Sequence, residues 1–331
     1  MMHKRSRSCE PSTEMDEHGR GNNGATSCDD SAACGRAAAS SSSATAQCST
    51  VSVYRAKING APRLVTAAWN KNLINQSFTI SIDRHNAAAA GEDGCGGGGG
   101  GDDGPLTHKV ELKPWPFWSK KGLKTLDVDD DRLDIFWDLR SAKFSASSPE
   151  PAGGYYVALV SQEEVVLVLG DGKKEAYKRT KSRPSLEDAV LVCRRESVFG
   201  RRSFAARARL DAATAGGRKE KDHEIVVETS LAGARDPEMA ITVDGVVLVH
   251  VKSLQWKFRG NETVLVDQAP VQVLWDVHDW IFAGQPVSQA VFIFKPGAPQ
   301  ELRGDAGGVG EYGVIGDAAD YSFSLHAWKT E

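Results

Sequence analysis

Apolar residues along most of this chain recur at every second position, the period that places side chains on one face of an extended strand. Leu133, Ile135, Trp137 and Leu139 form one such face, and Val271, Val273, Trp275 and Val277 form another. The pattern predicts strands over 51–58, 63–69, 78–83, 109–113, 132–139, 155–161, 165–170, 189–195, 203–210, 223–229, 239–244, 246–252, 263–266, 271–277, 291–295 and 322–328. Asn59-Gly60 and Asp244-Gly245 are two-residue hairpin turns, because both positions tolerate positive φ. No helix longer than a turn or two stands out, and Ser185–Val190 is the best candidate. The fold class expected is all-β and antiparallel.

Three stretches break the pattern. Residues 1–47 hold Ser, Ala, Gly, Asn and charge with almost no large apolar groups, so a disordered N-terminal tail is expected. Residues 86–106 run through alanines and glycines and read as a flexible insertion. Residues 297–319 are a third Gly-rich connection.

The ordered remainder repeats itself. Shifting by 138 aligns 118–144 with 256–282 without a gap and pairs Trp118/Trp256, Gly122/Gly260, Trp137/Trp275, Asp138/Asp276 and Phe144/Phe282. Identities fall at eight of those 27 positions, against a chance expectation of roughly two. A second block aligns Leu64–Asp83 with Ile225–Asp244, in the same order. Two duplicated β-units follow, sandwich or barrel-like: 48–171 with the insertion, then a basic connector over 172–188, then 189–331. Trp118, Trp137, Trp256 and Trp275 are the expected structural core positions, equivalent in pairs.

At these residues the chain resembles a known family. Lys174-Glu-Ala-Tyr-Lys-Arg-Thr-Lys-Ser-Arg-Pro-Ser185, Leu254-Gln-Trp-Lys-Phe-Arg-Gly-Asn-Glu-Thr263 and Val273-Leu-Trp-Asp-Val-His-Asp-Trp-Ile-Phe282 are similar to the plant family catalogued as domain of unknown function 868. So are Phe136-Trp-Asp-Leu-Arg-Ser-Ala-Lys-Phe144 and Gly154-Tyr-Tyr-Val-Ala-Leu-Val160, and the resemblance extends over roughly 48–328. It implies a plant protein and carries over no activity, cofactor or catalytic residue.

Composition adds limits. With 331 residues, 40% hydrophobic and 25% charged, the chain can build a sizeable core. Of its six cysteines only Cys193 lies in an apolar pattern and no C-x-x-C pair occurs, so no disulfide framework is expected. The basic start lacks an apolar run behind it, and no stretch approaches the length of a membrane span. A cytoplasmic or nuclear setting without a signal peptide is the expectation.

Several motifs dissolve on inspection. Gly308-Val-Gly-Glu-Tyr-Gly313 matches the dinucleotide fingerprint but lacks the strand before it and the helix behind it that phosphate binding needs. Asp127, Asp129 and Asp131 have calcium-loop spacing, yet Arg132 stands where the loop requires glycine. His278 has carboxylate neighbours in Asp276 and Asp279, but a zinc site needs three or four ligands. No catalytic, cofactor-binding or metal residue is assigned. The enzyme question stays open and leans to no, since triads can assemble from distant residues.

The charge distribution points elsewhere. Net charge is −4, yet Lys173–Arg209 holds twelve Lys/Arg against four Asp/Glu. Lys178, Arg179, Lys181, Arg183, Arg194, Arg195, Arg201 and Arg202 are the candidate anion- or partner-binding residues, interleaved with Tyr177, Phe199 and Phe204. Such a surface suits an acidic protein, RNA or anionic lipid. The leading expectation is a non-enzymatic binding or interaction module with a basic surface between the repeats. The alternatives are an intracellular β-barrel carrier of an apolar small molecule, and an enzyme of unrecognised type.

Overall fold

The computed structural model describes residues 48–73, 75–83, 105–112, 120–128, 131–145, 148–210, 221–230, 236–284, 287–297 and 321–330. Residues 1–47, most of 86–106, Trp118 and Gly308–Gly313 lie outside them. No helix among the described residues is long and apolar enough to cross a membrane.

Alternating burial confirms the pleat on strand after strand. In β1 (Cys48–Ile58), β2 (Ala61–Lys71) and β3 (Gln76–Ile82) the buried faces carry Ala56 and Ile58, then Val65, Ala67 and Trp69, then Phe78, Ile80 and Ile82. With β4 (Leu106–Glu111) they make an antiparallel run in chain order. A second run follows: β5 (Lys121–Val128), β6 (Asp131–Asp138), β7 (Tyr156–Ser161) and β8 (Glu164–Leu169). The two runs face each other across one core, in which Trp69, Phe78, Leu133, Ile135, Trp137 and Leu159 are packed.

The second half repeats this order. β11 (Ser203–Arg209), β12 (Asp222–Ser230), β13 (Glu238–Val243) and β14 (Val246–Val251) form one antiparallel sheet. β15 (Arg259–Val266), β16 (Ala269–Asp276), β17 (Val287–Pro296) and β18 (Ser322–Thr330) form the other run. Phe204, Ile225, Ile241, Val273, Trp280, Phe292, Phe294 and Phe323 fill the core between them. Each half is thus a sandwich of two four-stranded meanders, and each has its own core.

Besides β5, over which no strand is expected, two elements depart from the sequence expectation. The helix is not at Ser185–Val190, where residues 185–189 have no regular structure and Val190 begins the next strand, but at α1 (Lys173–Thr180). It starts with Glu175 in its first turn, ends with Lys178 and Arg179, and closes on Lys181 in the left-handed region. Seven of its eight residues avoid burial, so no apolar stripe betrays it; Ala176 alone is buried, against the outer face of β7 and β8. That contact explains why every residue of β7 is buried. The second departure is β9 (Arg183–Pro184), which adds to β8 in parallel.

β10 (Val190–Gly200) joins the halves. It pairs antiparallel with β1 and parallel with β18, so that β1–β4 and β15–β18 become one nine-stranded sheet. Register fixes the consequence. Thr50, Glu196 and Leu325 are directly opposed, as are Ser52, Arg194 and Phe323, so these six share one face. Phe323 and Leu325 belong to the second core, and Ala56 and Ile58, further along the same face of β1, belong to the first. Both covering sheets therefore sit on the same side of the long sheet.

Candidate functional site on the strand that joins the halves

Successive residues of β10 point to opposite faces, so the adjacent arginines part company. Arg194 turns inward to the seam between the two cores. Its guanidinium meets Glu150 at 2.9 Å and Glu196 at 2.7 Å, and it is 21% exposed. Burial alone would depress its pKa; the two carboxylates more than offset this and push it up. Burial raises Glu196, with Arg194 offsetting only part of the effect. Three tyrosines line the same seam. The Tyr155 hydroxyl donates to Glu150 at 3.3 Å, burial raises Tyr54, and the buried Tyr321 hydroxyl has no partner among the described residues. Arg194 is consequently a committed internal counter-ion and is withdrawn from the anion-binding set that the sequence suggests.

Arg195 turns to the other face, on which no helix or sheet among the described residues is packed. Its register partners there are Val51 on β1 and Ser324 on β18. Four residues on, Phe199 lies opposite Trp328, with ring centroids 6.1 Å apart and planes 14° from parallel. His326, between Trp328 and Ser324 on that face, accepts from the Gln289 side-chain amide at 2.6 Å through Nδ1. Burial, assisted by Arg195, lowers the His326 pKa to about 4. Beyond Gly200, Arg201 and Arg202 occupy the exposed turn that crosses from β10 to β11 in the covering sheet.

The remaining basic candidates lie elsewhere. Lys178, Arg179, Lys181 and Arg183 are exposed on α1, its C-terminal turn and β9, and Arg183 pairs with Glu164 at 2.7 Å. β9 leads into the start of β10, whereas Arg201 and Arg202 follow its end. An eleven-residue strand between them spans about 35 Å. The basic segment is thus divided into two surfaces, with Arg194 in neither.

The tryptophan expectation also divides. Trp137 and Trp275 are 7% and 9% exposed, each in its half's core. Trp256, by contrast, is 82% exposed and is not a core residue. The turn that carries it has one inward position, taken by the fully buried Leu254, and is pinned where Trp275 Nε1 donates to the Lys257 carbonyl at 3.0 Å. Asp138 and Asp276 are structural: each accepts the backbone N–H two residues on, from Arg140 and His278, and each pairs with a cation.

Comparison with known families decides the relationship. The model described as plant protein of unknown function (DUF868) matches residues 45–329. The chain belongs to this family. Neither a curated protein nor a solved structure matches it. For this DUF868 chain, then, function has to be argued from its own surface. The residues that sequence reading missed are Phe199 and Trp328 as a pair; they lie 129 positions apart, and only the parallel pairing of β10 with β18 brings them together.

Proposed function

We propose that this DUF868 protein is a non-enzymatic binding module that engages an anionic macromolecule across the face of its nine-stranded sheet that no described helix or sheet covers. One observation carries the reading. β10 welds the halves with both covering sheets on one side, which leaves the opposite face continuous across the junction, with Arg195 on it and Arg201 and Arg202 at its end. Cations at such a surface attract polyanions with a strong dependence on salt. The carrier alternative draws no support from the interiors, where Trp69 packs on Phe78 at 4.4 Å and Phe204 on Trp280 at 4.8 Å.

The test is retention on an immobilised polyanion such as heparin, eluted with salt. The parent protein should be retained at low salt, and Arg201→Glu/Arg202→Glu should elute much earlier with an unchanged melting temperature. Lys178→Glu/Arg179→Glu makes the same change in net charge about 35 Å away and should elute with the parent. Absence of retention, or an equal effect of both variants, would overturn the reading.

A further inference from the structure

Resting on that reading of the sheet face, we propose that the ligand is a single-stranded nucleic acid, stacked on Phe199 and Trp328 and held at its phosphates by Arg195, Arg201 and Arg202. A polyanion alone would need only charge, yet the cations here bracket two aromatic rings. Phe199 and Trp328 are register partners on neighbouring parallel strands, with planes 14° apart and centroids at 6.1 Å. Two nearly parallel π-faces accept any base, because every base presents one. Arg195 lies four residues upstream of Phe199 on the same face, about 13 Å along the strand. Arg201 and Arg202 begin two residues downstream of Phe199.

A chain lying along β10 would therefore meet positive charge, then stacking surface, then positive charge. That order matches an extended strand whose phosphates flank unstacked bases. A duplex keeps its bases stacked on one another and offers the rings nothing. A carboxylate-rich protein has no comparable planar groups to place on them. Recognition of this kind is tolerant of sequence, since it uses stacking and phosphates rather than base edges.

The experiment uses the full chain and four probes of similar charge: a short labelled oligouridylate, an RNA duplex of half its length, inorganic polyphosphate, and polyglutamate; phosphatidylserine vesicles are the fifth. The oligouridylate should bind most tightly. Phe199→Leu/Trp328→Leu should weaken it about tenfold or more while leaving polyphosphate binding unchanged. Trp328→Phe keeps a ring and should keep most of the affinity, which separates loss of stacking from loss of fold. Each arginine replaced by glutamine should reduce the log–log salt slope by about 0.7 if it contacts one phosphate. Equal binding of oligouridylate and polyphosphate, with the ring variants silent, would overturn the stacking proposal and leave anion binding standing. Preference for duplex, polyglutamate or vesicles would overturn it in the same way. Failure of every probe to bind would sink both readings.

Discussion

Gly122 and Gly260 owe their places to the tryptophans opposite them. Gly122 faces Trp137 across β5 and β6, and Gly260 faces Trp275 across β15 and β16. A Cβ on either glycine would lie 2.3 Å from the indole ring. The two identities that the duplication retains at these positions therefore make two packing units, each an indole laid over a bare backbone. Gly260→Ala should cost about 1–3 kcal/mol, since the ring is enclosed and cannot withdraw freely. Trp256→Ala, in contrast, should change stability by no more than about 0.5 kcal/mol, as for other exposed positions. Denaturant unfolding of both variants checks the pair, and a costly Trp256→Ala would mean that this ring packs against more than the described residues.

At the scale of the element, β10 is the strand on which the molecule depends. Its neighbours come from opposite ends of the chain, so its backbone groups are satisfied only when both halves are in place. The ion triad of Arg194 with Glu150 and Glu196 binds the strand's inner face to the first half, through the loop that holds Glu150. Removing the cation leaves two largely buried carboxylates without their counter-ion. Arg194→Met should accordingly cost about 3–5 kcal/mol. It should also speed hydrogen exchange of the β10 amides more than those of β3 or β13, which lie inside single sandwiches. An unchanged β10 exchange rate would show that backbone pairing alone holds the junction.

Two groups of the second half make the stability of the whole molecule depend on pH, and His326 sets a clear sign. Its pKa is lowered to about 4 from an ordinary 6.5, first by burial and then by Arg195. The Gln289 amide donates to Nδ1, which agrees with a neutral ring. As pH falls from about 6.5 toward 4 the unfolded chain takes up this proton before the folded one, so stability declines through that window. Asp244 works the same way lower down. Its carboxyl is held at about 2, chiefly by the Glu224 backbone N–H, with Lys221 and His223 contributing, so its share is lost as pH falls from about 4 toward 2. His326→Gln should flatten the decline between pH 6.5 and 4 in denaturant titrations while leaving the acid limb below pH 4 in place. An identical slope in the variant would reassign that window to other groups.

The alternation of apolar residues and two Asn-Gly or Asp-Gly turns determine antiparallel β structure, because each is a local property that a two-residue period or a tight turn displays, and two gapless internal matches add the duplication, because they compare the chain only with itself. Strand β5 and helix α1 escape that reading, since β5 buries only Val128 fully and α1 only Ala176. Alternation also states which residues share a face without stating which face is covered. Arg194 and Arg195 are equivalent in sequence, and what separates them is the placing of β10 between β1 and β18. Pairing across more than a hundred residues depends on how two finished sandwiches meet, so it leaves no signature in either strand. The same placing brings Phe199 to Trp328 and carries α1's cations away from Arg201 and Arg202, while the turn at Leu254 sends Trp256 outward.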